Sequence, residues 1–169
     1  MIGIVKERVE HIVWVARRCA ELAKERGYDQ SMQEQAFLMG WNHDIGYEWC
    51  DLPEGHAKKG AGVIRASYGK LYEKEYPEIV EFLRTVDFVW WKEIMVHGYP
   101  KIHPRRMIDG KPYMSEMLDI LNIADITTLQ GGQYCTAQER LDDLLKRGYL
   151  PESEKYKNMY QLCKELNLL

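Results

Sequence analysis

A chain of 169 residues, 46% apolar and 11% aromatic, suits one domain with a sizeable core and excludes a disordered polymer. Its 23 basic and 26 acidic residues are interspersed and leave a net charge of -3, which excludes the basic field of nucleic-acid binders and of proteins bound to anionic membranes. The expected partner is a small molecule, with no nucleic acid and no membrane.

The four cysteines, Cys19, Cys50, Cys135 and Cys163, are widely separated and form no Cys-x-x-Cys pair, so they signal neither a zinc knuckle nor a disulfide framework and read as reduced, structural thiols. Charge appears from Lys6 onward, too early for a signal peptide, and no apolar run approaches the roughly 18 residues of a membrane span. The expected location is cytoplasmic.

From Ile4 to Arg26, Val5, Val9, Ile12, Ala16, Cys19 and Ala23 recur at three and four residues, which predicts a helix ended by Gly27. His11 lies at the border of that apolar stripe, as a satisfied border residue or as a ligand. Ser31-Met-Gln-Glu34 has capping-box spacing and predicts the start of a second helix, which runs through Ala36, Phe37, Leu38 and Met39 to His43-Asp44 before Gly46 breaks it. A carboxylate at the inner end of an apolar helix is costly unless a cation or a hydrogen-bond network compensates it.

Asp51-Leu52-Pro53-Glu54-Gly55 reads as a loop, and a short helix from His56 carries Ala57, Ala61 and Ile64 on one side. Lys58, Lys59 and Arg65 beside it make an anion contact or a solvated face. Pro77 suits the start of a further helical region in which Val80, Leu83, Val86, Trp90, Ile94 and His97 keep helical spacing, with a bend near Asp87. His97 continues an apolar stripe, as a hydrogen-bonded core histidine or an active-site residue. The segment from Gly98 to Pro112 is irregular by its prolines and glycines and long enough for a lid. Its Lys101, Arg105 and Arg106 contact phosphate or solvent. The aromatics Tyr68, Tyr72, Tyr76, Trp90 and Trp91 stack on a base, pack between the subunits of a homodimer, or serve as core and rim residues.

Ser115 opens a strongly apolar helix from Met117 to Leu129, stopped by Gly131-Gly132. Asp125 is its anomaly, because Leu118, Leu121 and Leu129 share its face and place this carboxylate on the buried stripe. It pairs with an arginine, caps a loop, or binds a metal. Thr136-Ala-Gln-Glu139 and Ser153 start two last helices, the first stopped at Gly148, which wrap the core. No alternating run predicts a strand, so the expected fold is a single all-α domain of roughly six to eight helices over 1–169, its core at about 4–132 with helices of 133–169 packed on it.

The order His11, His43-Asp44, Asp125, each on its own apolar helix, resembles the HD-domain superfamily of metal-dependent phosphohydrolases. His43-Asp44-Ile45-Gly46 has the family's common form, and Asn122-Ile-Ala-Asp125-Ile is similar to its final aspartate helix. The likeness runs from the first helix to Leu129, and the tail after Gly132 adds nothing to it. It implies His11, His43, Asp44 and Asp125 as ligands of a divalent ion (manganese, iron, cobalt, nickel, magnesium or zinc), with Asp44 also orienting an activated water. In some branches further histidines bind a second ion or the phosphate, and His56 and His97 stand in comparable order, though not at closely matching spacings. The implied activity is hydrolysis of a nucleotide or another small phosphorylated metabolite through a metal-activated water, as a monoesterase or a diesterase. Asp44, His56 and His97 are the catalytic candidates, His97 as proton donor to the leaving group, and Lys59, Lys101, Arg105 and Arg106 are candidates for holding substrate. The alternative is a non-catalytic regulatory module that binds a nucleotide or a metal on the same fold.

Overall fold

A computed structural model describes residues 6–48, 55–67 and 89–169. Among these the chain forms seven α-helices and one two-strand ladder, an all-α domain as expected. The expected loop at 51–54, the helix start at Pro77, Cys50, the side chain of Arg65 and the aromatics Tyr68, Tyr72 and Tyr76 lie outside the described residues.

Helix α1, Lys6–Glu25, buries Ile12, Val15, Ala16, Cys19, Leu22 and Ala23, the i, i+3, i+4 face of an amphipathic helix. Gly27 ends the segment at φ 80°, with Tyr28 N–H donating to Ala23 O and Gly27 N–H to Lys24 O, a Schellman arrangement that occupies the last carbonyls. Helix α2, Gln30–Asn42, starts two residues earlier than the Ser31 spacing suggested: Asp29, not Ser31, is the N-cap and accepts the Met32 amide at 2.9 Å. A carboxylate three residues ahead of a free amide satisfies the helix start directly, so Ser31 is left exposed in the first turn.

Two glycine contacts bring the site together. A Cβ on Gly40 would lie 2.7 Å from the Ala16 Cα, so its absence lets α2 settle against α1 and brings His43 opposite His11. After α2 a single 3-10 turn, Ile45–Glu48, packs on helix α3, His56–Ser67. There a side chain on Gly46 would strike the His56 carbonyl and the Gly60 amide, so bare backbone is needed to hold His56 beside Asp44.

Helix α4, Trp91–Val96, stops where His97 turns to an extended conformation. Of the two candidate stacking aromatics described, Trp90 is half-buried against the core and donates its Nε1–H to Gln35, and Trp91 is half-buried too. The next segment contains a hairpin the sequence reading did not expect, β1 Met107–Ile108 paired with β2 Lys111–Pro112. Asp109 and Gly110 both have positive φ, the conformation that an Asp-Gly pair favours in a two-residue hairpin turn. The segment is tied down: Arg106 is buried, its guanidinium donating to the Tyr99 and Tyr113 carbonyls at 2.9 and 3.0 Å.

Helix α5, Glu116–Ile126, is capped by Ser115 and ends three residues short of Leu129, where Thr127 and Thr128 return their hydroxyls to the Ile123 and Ala124 carbonyls. Helix α6, Ala137–Lys146, has the expected capping box of Thr136 and Glu139, and helix α7, Glu154–Glu165, starts at Ser153. One apolar cluster joins α1, α2, α4 and α5 through Val15, Met39, Ile94 and Leu121, and a second joins the end of α5 to α6 and α7 through Ile126, Leu141, Leu144 and Leu162. No helix among the described residues is long and apolar enough to cross a membrane.

Candidate metal centre

His11 of α1, His43 and Asp44 just past α2, His56 at the start of α3 and His97 just past α4 meet Asp125 of α5 in one place. Asp44 is the hub, only 5% exposed at its side chain. Its Oδ1 lies 3.5 Å from His43 Nε2, 3.2 Å from His56 Nε2 and 3.9 Å from His97 Nε2. Its Oδ2 lies 3.9 Å from His11 Nε2, which stands 3.1 Å from Asp125 Oδ1. Atoms bound to one ion at about 2.1 Å lie about 3.0 to 3.4 Å from each other, so these separations are those of a ligand shell drawn a little wide. His11, His43 and Asp125 form one group that can hold a metal ion, and His43, Asp44 and His97 form a second. Asp44, with one oxygen toward each group, is placed to bridge them.

The hydrogen bonds decide which way the imidazole lone pairs point. A carbonyl can only accept, so a ring nitrogen beside it must carry the proton. His43 Nδ1 donates to Gly40 O at 2.6 Å, His97 Nδ1 to Ile94 O at 2.6 Å and His11 Nδ1 to Leu129 O at 3.1 Å. In neutral rings the Nε2 of His43 and of His97 is then a bare lone pair on the side of Asp44, the outer-shell arrangement that fixes metal-binding histidines, while His11 lies between two acceptors, Leu129 O and Asp125 Oδ1, at 3.1 Å each. His43 Nε2 is fully buried and has no hydrogen-bond partner. Such an atom costs stability unless something binds it, and a cation is what a lone pair flanked by carboxylates would bind.

Burial lowers the pKa of His43 against the opposing pull of Asp44 and Asp125, and lowers that of His97 to about 3, with the neighbouring His56 and His43 acting in the same sense. Burial would raise both carboxyls, but it is outweighed. His43, His56 and Arg8 hold Asp44 well below the ordinary carboxylate range, and His11, His43 and Arg140 do so for Asp125. Ionised Asp44 and Asp125 beside neutral His43 and His97 are the protonation states a divalent ion requires. The same geometry revises the role expected of His97, whose proton is committed to Ile94 O: its Nε2, 3.3 Å from His56 Nε2, can accept or ligate but in the neutral ring has no proton for a leaving group.

The cluster floors a cleft of about 230 Å³. Arg105, of the expected substrate contacts, lines it; Lys59 is exposed elsewhere on α3, and Lys101 does not reach the cleft, its backbone N–H donating to Glu165. Arg106 is likewise a correction, because its guanidinium is used up in bracing the loop. The cleft also holds residues that sequence reasoning passed over. Arg8 donates to Asp44 Oδ2 at 2.7 Å and stacks 4.2 Å over Tyr47, whose own ring stacks on His56. Its signal was present, since Arg8 precedes His11 by one helical turn and shares its face. Arg140, Tyr149, Lys155, Asn158 and Met159 come from the two C-terminal helices and the link between them, so the tail is a wall of the site as well as a wrapping for the core. Arg140 too had a signal: it stands on the stripe of Ala137, Leu141 and Leu144, as Asp125 stands on that of α5.

No family model, curated protein or solved structure matches this chain.

Proposed function

We propose that the protein is a metal-dependent phosphohydrolase of small phosphorylated metabolites, nucleotides among them. The observation that carries this reading is the convergence of backbone-anchored imidazoles, with His43 Nε2 orphaned, on two ionised carboxylates at the floor of a cleft lined by cations. His11, His43, Asp44 and Asp125 would hold a first divalent ion, and Asp44, His56 and His97 would hold a second. Such an ion supplies Lewis acidity toward a phosphoryl oxygen and lowers the pKa of water toward about 7.

The chain's own groups account for the rest. Arg8 and Arg105 present guanidinium forks that match phosphate oxygens. Asp44, ionised and buried, accepts a hydrogen bond from the attacking water and so orients it. The anchored rings hold the pocket's shape without reorganising during reaction. Tyr47 is protonated at neutral pH, because burial and the adjacent Asp44 both raise its pKa, and so remains a hydrogen-bond donor.

The test is turnover. Protein stripped of metal and reloaded with manganese, iron, cobalt, nickel, magnesium or zinc should release phosphate from members of a panel of nucleotides and simple phosphate esters, and Asp125→Ala should not. Release from no substrate with any metal would return the protein to the class of binding modules.

A further inference from the structure

Arg140 is a poor structural ion pair. It occupies the apolar stripe of α6 with its side chain 7% exposed, yet its Nη2 is 3.9 Å from Asp125 and its Nη1 3.4 Å from Asp143, both longer than the roughly 2.7 to 2.9 Å of a charge-assisted hydrogen bond. Its Nε is fully buried with no partner. A guanidinium this deep usually has its donors satisfied or gives way to an apolar residue of similar size. Arg140 does neither, and it faces the cleft. Lys155, from the first turn of α7, lines the same cleft and makes no hydrogen bond or ion pair among the described residues.

The charge balance points the same way. The lining holds Arg8, Arg105, Arg140 and Lys155 against Asp44, Asp125 and Glu154. With one divalent ion bound the lining has three positive charges in excess, more than one phosphate dianion neutralises. Arg8 is engaged with Asp44 next to the metal ligands, whereas Arg140 and Lys155 stand on α6 and α7. The volume, about 230 Å³, is that of roughly seven or eight waters, room for more than one phosphoryl group.

We infer that Arg140 and Lys155 form a second anion seat, so that the preferred substrate carries a second phosphoryl group besides the one that faces the metal ligands. This rests on the hydrolase reading for the role of the first seat. Tyr149 and Met159, on the same wall, offer apolar surface to the group that joins the two phosphates.

The experiment is calorimetric binding of non-hydrolysable probes to the manganese-loaded full chain: alkyl bisphosphonates with two, three or four methylenes between the phosphonates, against propylphosphonate. The best bisphosphonate should bind about tenfold or more tightly than the monophosphonate. Lys155→Ala, at an exposed position, and Arg140→Lys should each cut that preference to about threefold or less; for Lys155→Ala, which makes no ion pair with a proposed metal ligand, metal content and propylphosphonate affinity should be unchanged. No preference in the wild type, or a preference that both variants retain, overturns the seat. The two readings fail separately. A protein that holds no metal and releases no phosphate but shows a Lys155-dependent bisphosphonate preference keeps the seat and loses the hydrolase. One that hydrolyses monoesters and shows no such preference does the reverse.

Discussion

The residues of the centre differ in what they can lose. Asp44 belongs to both proposed ligand sets, so Asp44→Ala should abolish metal binding, whereas His97→Ala should remove at most the second ion, because the proposed first set of His11, His43, Asp44 and Asp125 does not include it. Elemental analysis of the two variants beside the wild type checks this, and equal metal content in Asp44→Ala and wild type would remove the basis for the centre. The buried imidazoles also set a pH dependence for the metal-free protein. His97 has a folded-state pKa of about 3, below the ordinary 6.5, and burial lowers that of His43 as well. Between those values the unfolded chain binds protons that the fold refuses, so stability rises with pH up to about 6.5 and is lost as pH falls, by at most about 1.4 kcal/mol per unit for each such group. Asp44 and Asp125, with depressed pKa values, add a further loss as pH drops below their ordinary 3.8. Urea unfolding in chelator at pH 7.5 and 5.5 should give the lower stability at 5.5; equal values would contradict the buried, neutral state of these rings.

At the level of elements, the site depends on how closely backbones approach. Gly40→Ala would press a methyl group to 2.7 Å from the Ala16 Cα, and because the obstacle is backbone it cannot swing aside. Overpacking of this kind costs about 1 to 3 kcal/mol, and the separation of α1 from α2 would also part His43 from His11. The expected variant therefore melts lower and binds metal more weakly than wild type, even though residue 40 is no ligand. Calorimetric melting and a metal titration together decide the matter; a stable Gly40→Ala protein with unaltered metal affinity would mean that the contact does not set the geometry. Gly46 against His56 makes the same kind of joint on the other side of Asp44.

For the whole molecule, a metal held by a centre fed by five helices would couple its binding to folding, since the unfolded chain has no such cluster. At a metal concentration 100 times the dissociation constant the native state gains about 2.7 kcal/mol, which for a domain of this size raises Tm by roughly 5 to 10 °C. Thermal melts with and without chelator measure it, and an unchanged Tm would count against a native-state metal site. The sequence by itself determined the helical class, because period and capping residues are local: Ser115, the Thr136–Glu139 box and the glycine after α1 act within a few residues of themselves. It also exposed His11, His43, Asp44 and Asp125, since a polar group on an apolar stripe stands out in a linear text. Only the tertiary structure decided which of the remaining candidates belong. His56 reaches Asp44 through a glycine contact between two separate elements, and Arg106 is withdrawn from the cleft by carbonyls of a loop whose path its own charge does not reveal. Arg8, Arg140 and Lys155 enter the cleft for the same reason, that the direction of a side chain follows from helix crossings, and those are set by packing between residues far apart in the chain.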